Sequence, residues 1–301
     1  MNDLSELIEQ LADDDGARIL CVGDLMLDRF IQGDVERISP EAPIPVLAVQ
    51  KETVMVGGVG NVVRNLVAMG VATELVAAVG DDAAGRELRS LLDAEALATP
   101  RLIETPGRQT TIKTRFAASG QQLLRADREA TEPLDERAGR ALLDQALESL
   151  QTCAIVVLSD YGKGVLDDAV LTPLLAEARN LGRPVIVDPK GFDYSRYRGA
   201  TLVTPNKHEL ALASGGTTGE DAAVVAAGQR IIEQCGVDAV LATRSEQGMT
   251  LIDGDGARHL PARAKEVFDV SGAGDTVAAA MAAGLAMGAP MALAAQLANT
   301  A

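Results

Sequence analysis

The chain is expected to fold as an α/β protein, with a mostly parallel central sheet, helices on both faces and a small β lid. Three observations predict this. Short apolar runs alternate with helical segments at the spacing of βα units. Those runs are continuous rather than alternating, as strands buried on both faces require. Aromatic residues make up only 2% of the 301 residues, with no Trp, so Val, Leu, Ile and Ala must build the core.

Residues 4–12 have the periodicity of a short amphipathic helix. Arg18 to Gly23 (RILCVG) reads as a buried first strand ending in Gly. Residues 31–51 carry Pro40, Pro43 and Pro45 among alternating apolar positions, which suits an edge or lid strand. Gly57-Gly58 opens a helix to about Met69. A strand from Thr73 to Val79 and a loop and helix from Gly80 to Leu92 follow. Residues 110–126 divide into two short strands at Ser119-Gly120, a turn signal, and with 31–51 they are expected to form the lid sheet. Next come helix 134–150, strand 154–158, helix 167–180 and strands 184–188 and 201–203. Helices 206–213 and 218–235 lead to strand 238–243, a hairpin over roughly 249–261, and helices 273–287 and 290 onward. No repeat or low-complexity linker interrupts this order, so residues 1–301 are read as one domain with a lid.

The net charge is −16, from 27 basic and 43 acidic residues, and no run of Lys and Arg provides the basic stripe of a nucleic-acid binder. Cys21, Cys153 and Cys235 are far apart, which argues against a disulfide framework or a Cys-based zinc site; buried structural thiols are expected. No stretch approaches ~18 apolar residues, and Met1 to Asp15 is acidic and polar. Neither a membrane span nor a signal peptide is expected, and the expected compartment is the cytoplasm.

Ligands of open α/β sheets bind at the carboxyl ends of strands, and the unusual residues fall there. The strongest signal is Asp269-Val-Ser-Gly-Ala-Gly-Asp275-Thr276, opening an Ala-rich helix. Gly272 and Gly274 allow a tight turn and close approach to a ligand. The amides of Gly272, Ala273, Gly274 and Asp275 would gather at a helix N-terminus, able to hold a phosphoryl group. Asp275 is placed to take a proton from an attacking hydroxyl. A plain glycine-rich cap with Asp in the first turn fits the same residues. The Walker A and G-x-G-x-x-G patterns are absent.

The GAGD segment resembles the signature of the ribokinase (PfkB) carbohydrate kinases. Gly57-Gly58-Val-Gly-Asn61, Val79-Gly80-Asp81-Asp82-Ala-Ala-Gly85 and Asn206-Lys-His-Glu209 resemble three further motifs of that family, in the right order. Asp24-Leu-Met-Leu-Asp28-Arg29, Ile38-Ser-Pro-Glu-Ala-Pro43, Ser159-Asp-Tyr-Gly-Lys-Gly164, Asp188-Pro-Lys-Gly191 and Thr243-Arg-Ser-Glu-Gln-Gly248 resemble its D-glycero-β-D-manno-heptose 7-phosphate kinases. The resemblance implies a ribokinase-like fold. It implies transfer of phosphate from ATP with Mg²⁺ to the anomeric hydroxyl of that sugar phosphate, in making the heptose of the lipopolysaccharide core. It implies a homodimer, and in many relatives fusion to a C-terminal adenylyltransferase.

Beside the resemblance, the residues have physical readings. Asp24 and Asp28 follow the first strand and suit sugar hydroxyls. Gly57 and Gly58 would let the backbone approach the sugar, and Asn61 offers donor and acceptor. Asn206 and Glu209 share a helix face and suit Mg²⁺, directly or through water, although Asn206-x-x-Glu209 also fits a capping box. Lys113, Arg115, Arg125, Lys163 and Lys190 are the candidate grips for the sugar's phosphate, with no choice among them. By resemblance, Thr243, Gly248 and Asn299 line the nucleotide, and Asp269 helps hold a monovalent cation such as K⁺. His208 and His259 lack partners at metal-ligand spacing. The family continues beyond the helix in which this chain ends at Ala301, so a longer protein is expected. A kinase for ribose, adenosine or fructose phosphate, or a non-catalytic sugar-phosphate-binding module, stays open as an alternative.

Overall fold

The computed structural model describes residues 4–13, 16–95, 99–262 and 272–301. The chain begins with α1 (Leu4–Asp13), β1 (Arg18–Gly23) and two long strands, β2 (Leu25–Ile38) and β3 (Pro45–Gly58). α2 (Val59–Ala68), β4 (Ala72–Gly80), α3 (Ala83–Ala94) and β5 (Thr99–Thr105) follow. β6 (Thr111–Ala118) and β7 (Gln121–Arg128) precede α4 (Glu136–Leu150), β8 (Ile155–Ser159), α5 (Asp168–Asn180), β9 (Val185–Asp188) and β10 (Leu202–Val203). The last elements are α6 (Lys207–Ser214), α7 (Asp221–Cys235), β11 (Val240–Thr243), β12 (Met249–Asp253), β13 (Gly256–Leu260), α8 (Ala273–Ala286) and α9 (Met291–Ala298).

The large sheet has the order β13-β12-β11-β10-β9-β8-β1-β4-β5. It is parallel from β5 to β11, and β12 and β13 run antiparallel at one edge. Consecutive residues of its strands feed opposite cores. Ile19 and Cys21 of β1 pack with α2, α8 and α9, while Leu20 and Val22 pack with α4, α5 and α7. This two-sided burial is why the strands read as unbroken apolar runs.

The lid is a four-stranded sheet, β3-β2-β6-β7. β2 and β3 are an antiparallel pair of 14 residues each. The lid therefore starts one residue after β1 ends, earlier than the expected boundary at residue 31, and Asp28 stands on a lid strand rather than in a loop. β5 was not anticipated. The final helix, expected to run to the end of the chain, stops at Ala298.

The strands β1, β8, β9 and β11 end at Gly23, Ser159, Asp188 and Thr243. Asp24 follows β1, Tyr161 follows β8 and Asn206 follows β10, and the lid rises above them. All three cysteines are buried free thiols. No helix among the described residues is long and apolar enough to cross a membrane.

Candidate active site

The helices differ in how they begin. α3, α4, α5 and α6 start on Asp82, Asp135, Asp167 and Asn206, each accepting a hydrogen bond from an amide of the first turn. α2 and α8 start instead on left-handed glycines, Gly58 (φ 61°) and Gly272 (φ 81°), with no side-chain cap. Among the described residues no side chain takes the first-turn amides of α8, on Ala273, Gly274 and Asp275, which stand at the positive end of the helix dipole. Glycine is required at both starts. A β-carbon at Gly272 would lie 2.5 Å from Asn61 Nδ2, and one at Gly58 2.2 Å from the Asp24 carbonyl oxygen.

Asp275 is 3% exposed. Its Oδ2 accepts from Asn61 Nδ2 at 2.8 Å, and its Oδ1 accepts from the Tyr161 hydroxyl at 2.9 Å. Burial raises its pKa above the ordinary carboxylate value. The two hydrogen bonds oppose that rise, nearby Asp28 adds to it and Lys113 counters it. Asn61, expected on the sugar, spends its amide group on Asp275.

Tyr161 had no expected role. It follows β8 in the Ser159–Gly164 segment, which was read only for its resemblance to the heptose 7-phosphate kinases, with no role given to this side chain. Its loop is fastened by Asp24, whose carboxylate accepts from the amides of Tyr161 (2.7 Å), Lys163 (3.1 Å) and Val165 (3.4 Å). Asp24 is 1% exposed. Burial, then Asp160, pushes its pKa up to about 6. Expected at sugar hydroxyls, Asp24 is turned inward to backbone donors and does not line the cleft.

That cleft, of about 440 Å³, lies between the lid and α8 and is lined by Asp28, Gly58, Asn61, Tyr161, Gly272 and Asp275 among others. Asp28 Oδ1 accepts from Arg115 Nη1 at 2.6 Å, and the Arg115 guanidinium lies 5.1 Å from the Phe30 ring centroid. Gly57 leaves room for Asp28, since a β-carbon there would meet Asp28 Oδ2 at 2.2 Å. Lys113 Nζ sits 5.0 Å above the Tyr161 ring.

Of the candidate cations, Lys113 and Arg115 line the cleft. Arg125 pairs with Asp127 at 3.0 Å, Lys163 with Glu129 at 2.6 Å and Lys190 with Glu209 at 2.9 Å, all outside that lining. Lys51 lines it as well. It was missed because its strand had not been resolved into inward and outward positions.

Asn206 and Glu209, expected at the nucleotide and Mg²⁺, form the capping box. Glu209 N donates to Asn206 Oδ1, and Asn206 N donates to Glu209 Oε2, both at 3.0 Å. Thr243 bridges to Asn206 in parallel, Gly248 precedes β12, and Asn299 Nδ2 donates to the Pro261 carbonyl at 2.9 Å. Asp269 lies outside the described residues. Asp188 ends β9, with Oδ2 3.8 Å from where a β-carbon at Gly274 would stand. Its pKa is well above the ordinary value, from desolvation first, then Asp275 and Glu209, with Lys190 pulling the other way. No cluster of three or more metal-ligating side chains exists among the described residues. Acids that repel one another beside open helix amides still fit Mg²⁺, which binds few protein groups and keeps phosphate and water ligands.

A helix end free to hold an oxyanion, with a proton acceptor in its first turn, suits transfer of a phosphoryl group to a hydroxyl. The family described as pfkB family carbohydrate kinase matches residues 17–301, and the chain belongs to that family. It is 55% identical to bifunctional protein HldE of Paramagnetospirillum magneticum, covering 100% of this chain and 62% of that protein. It is also 55% identical to bifunctional protein HldE of Rhodospirillum rubrum, covering 99% and 60%. The chain thus spans about three fifths of the length of these curated relatives. Phosphofructokinase-2 from Escherichia coli in complex with potassium superposes with a TM-score of 0.80 at 25% identity, over 95% of this chain and 91% of that one. Arabidopsis thaliana ribokinase complexed with ribose and ATP shares the fold, with a TM-score of 0.72 at 19% identity over 95% and 91%.

Proposed function

We propose that the chain transfers phosphate from ATP to the anomeric hydroxyl of D-glycero-β-D-manno-heptose 7-phosphate, giving the 1,7-bisphosphate for ADP-heptose and lipopolysaccharide core synthesis in the cytoplasm. The observation that carries the reaction is Asp275, buried and held by two donors beside the free amides of α8. The choice of sugar rests on the five heptose-kinase-like segments and on the identity with the bifunctional HldE proteins.

Asp275 accepts the hydroxyl proton as the sugar oxygen bonds to the γ-phosphorus and the bond to the leaving ADP oxygen breaks. Asn61 and Tyr161 donate to the carboxylate, so they favour its ionised, proton-accepting form. The amides of Ala273, Gly274 and Asp275 stabilise the charge spread over the transferring group. Mg²⁺, supported by Asp188 and the Asn206–Glu209 turn, would supply charge neutralisation on the nucleotide phosphates. The lid excludes water from the cleft, which limits wasteful hydrolysis of ATP. A monovalent cation beside Asp269 is proposed on the resemblance; replacing K⁺ by Na⁺ is expected to lower turnover.

The test is Asp275→Asn in a coupled ADP-release assay with Mg–ATP. The assay compares heptose 7-phosphate with ribose, adenosine and fructose 6-phosphate. The expected result is turnover with the heptose phosphate alone, reduced about 10²-fold or more in the variant, with the circular dichroism spectrum unchanged. Near-normal turnover by Asp275→Asn would remove Asp275 from the role of base.

A further inference from the structure

We propose that the outer end of the lid wall is the subsite for the phosphate that the acceptor sugar already carries. Lys51, with Gln32 and the free edge of Arg115, would make the enzyme prefer a phosphorylated sugar. This rests on the sugar-kinase reading above, which puts the reacting hydroxyl at Asp275.

The lid works as a ruler. Alternate residues of β2, Asp28, Phe30 and Gln32, line the cleft. The sheet register sets Lys113 beside Asp28, Arg115 beside Phe30 and Lys51 beside Gln32. Successive rows are ~7 Å apart, two residues of strand. The first row is the reacting end, because Lys113 lies over the ring of Tyr161, whose hydroxyl holds Asp275. There Asp28 can accept from sugar hydroxyls. The charges of the second and third rows face whatever lies beyond the sugar ring.

The cations of the cleft are not equivalent. Arg115 gives one nitrogen to Asp28 at 2.6 Å. Lys113 is desolvated and sits in the field of Asp28 and Asp127. Lys51 is exposed, lines the cleft, and forms no ion pair among the described residues. A phosphate dianion suits this pairing of a point charge with the remaining donors of a guanidinium. Heptose 7-phosphate carries its phosphate on the second carbon of the side chain at C5, across the ring oxygen from the anomeric carbon, and that side chain extends outward from the ring, diverging from the anomeric hydroxyl. That tail leads along the rows from Asp28 toward Lys51. An unphosphorylated sugar leaves Lys51 in water with nothing to grip.

The test compares the full chain with Lys51→Met and Lys51→Arg. Each is assayed with heptose 7-phosphate and the free heptose, and with two control pairs, fructose 6-phosphate with fructose and ribose 5-phosphate with ribose. Lys51→Met is expected to raise KM for the phosphorylated member of the productive pair by about 10-fold or more. KM for the free sugar should stay unchanged, the loss should fall on KM far more than on kcat, and Lys51→Arg should recover most of it. An equal effect on both members, or none on the phosphorylated one, overturns the subsite. So does a wild type that prefers the free sugar in every pair. Turnover with a different phosphorylated sugar would sink the heptose assignment alone, and the Lys51 comparison is then read on that pair. For a pair without turnover, calorimetric affinities give the same ratio, and equal affinity for the phosphorylated and free sugars overturns the proposal.

Discussion

Two hydrogen bonds help decide when Asp275 is charged. Burial lifts its pKa, and the donors Asn61 Nδ2 and Tyr161 OH pull it back. Tyr161→Phe removes a donor that favours the ionised form, so the pKa rises further and the acid limb of the kcat/KM profile moves to higher pH. Asn61→Ala should move the limb the same way. A limb that stays in place in both variants would show that the donors position Asp275 without tuning it. Asp275 and its glycines were legible in the sequence because a Gly-x-Gly-Asp run before an Ala-rich helix has a backbone signature. Tyr161 was not, since its partner lies 114 positions away. Asn61 was legible as a polar residue near the site. Its true partner required α2 and α8 to be packed side by side.

The loop between β8 and α5 connects Asp275 to the fold through Tyr161. Asp24 holds it through three amides, so Asp24→Ala strands buried donors. The expected loss of stability is about 1–3 kcal/mol, read as a lower Tm, with a fall in kcat because Tyr161 loses its anchor. The folded pKa of Asp24, about 6, lies above its ordinary 3.8. Across that window the native state binds more protons than the unfolded chain. Its contribution to stability therefore falls as pH rises from about 4 to about 6 and is level above, and Asp24→Asn should flatten that part of the stability curve. An unchanged slope in the variant would assign it to the other raised carboxylates, Asp188 and Asp275. Most elements of the large sheet were legible because buried parallel strands are short, apolar and punctuated. β5 was hidden because it is an edge strand carrying Pro100 and the charged Arg101, which bonds Gln145 and pairs with Glu74 and Glu148. The lid boundary was misplaced because Gly23-Asp24 and Asp28-Arg29 read as a polar stretch after β1, although β2 begins at Leu25.

At the scale of the molecule, the lid carries apolar surface that the chain does not cover. Ile38, Ile44, Val49 and Leu124 are each more than half exposed, and Leu123 is 46% exposed. All five belong to β2, β3, β7 or the turn joining the first two. A soluble protein scatters single apolar side chains over its surface, but a group on one small sheet marks an association site. The lid's outer strands, β3 and β7, also have no further strand beside them among the described residues, so each offers an open edge. A second copy answers both features, because a two-fold interface is self-complementary and needs no other partner. We therefore expect the protein to be a homodimer joined through its lids. Light scattering should give twice the chain mass for the wild type. Val49→Glu with Leu124→Glu places carboxylates in that surface and should give the single-chain mass with an unchanged circular dichroism spectrum. A monomeric wild type would overturn the dimer. A double variant that stays dimeric would move the interface off the lid, leaving the exposed apolar group without a partner of this kind.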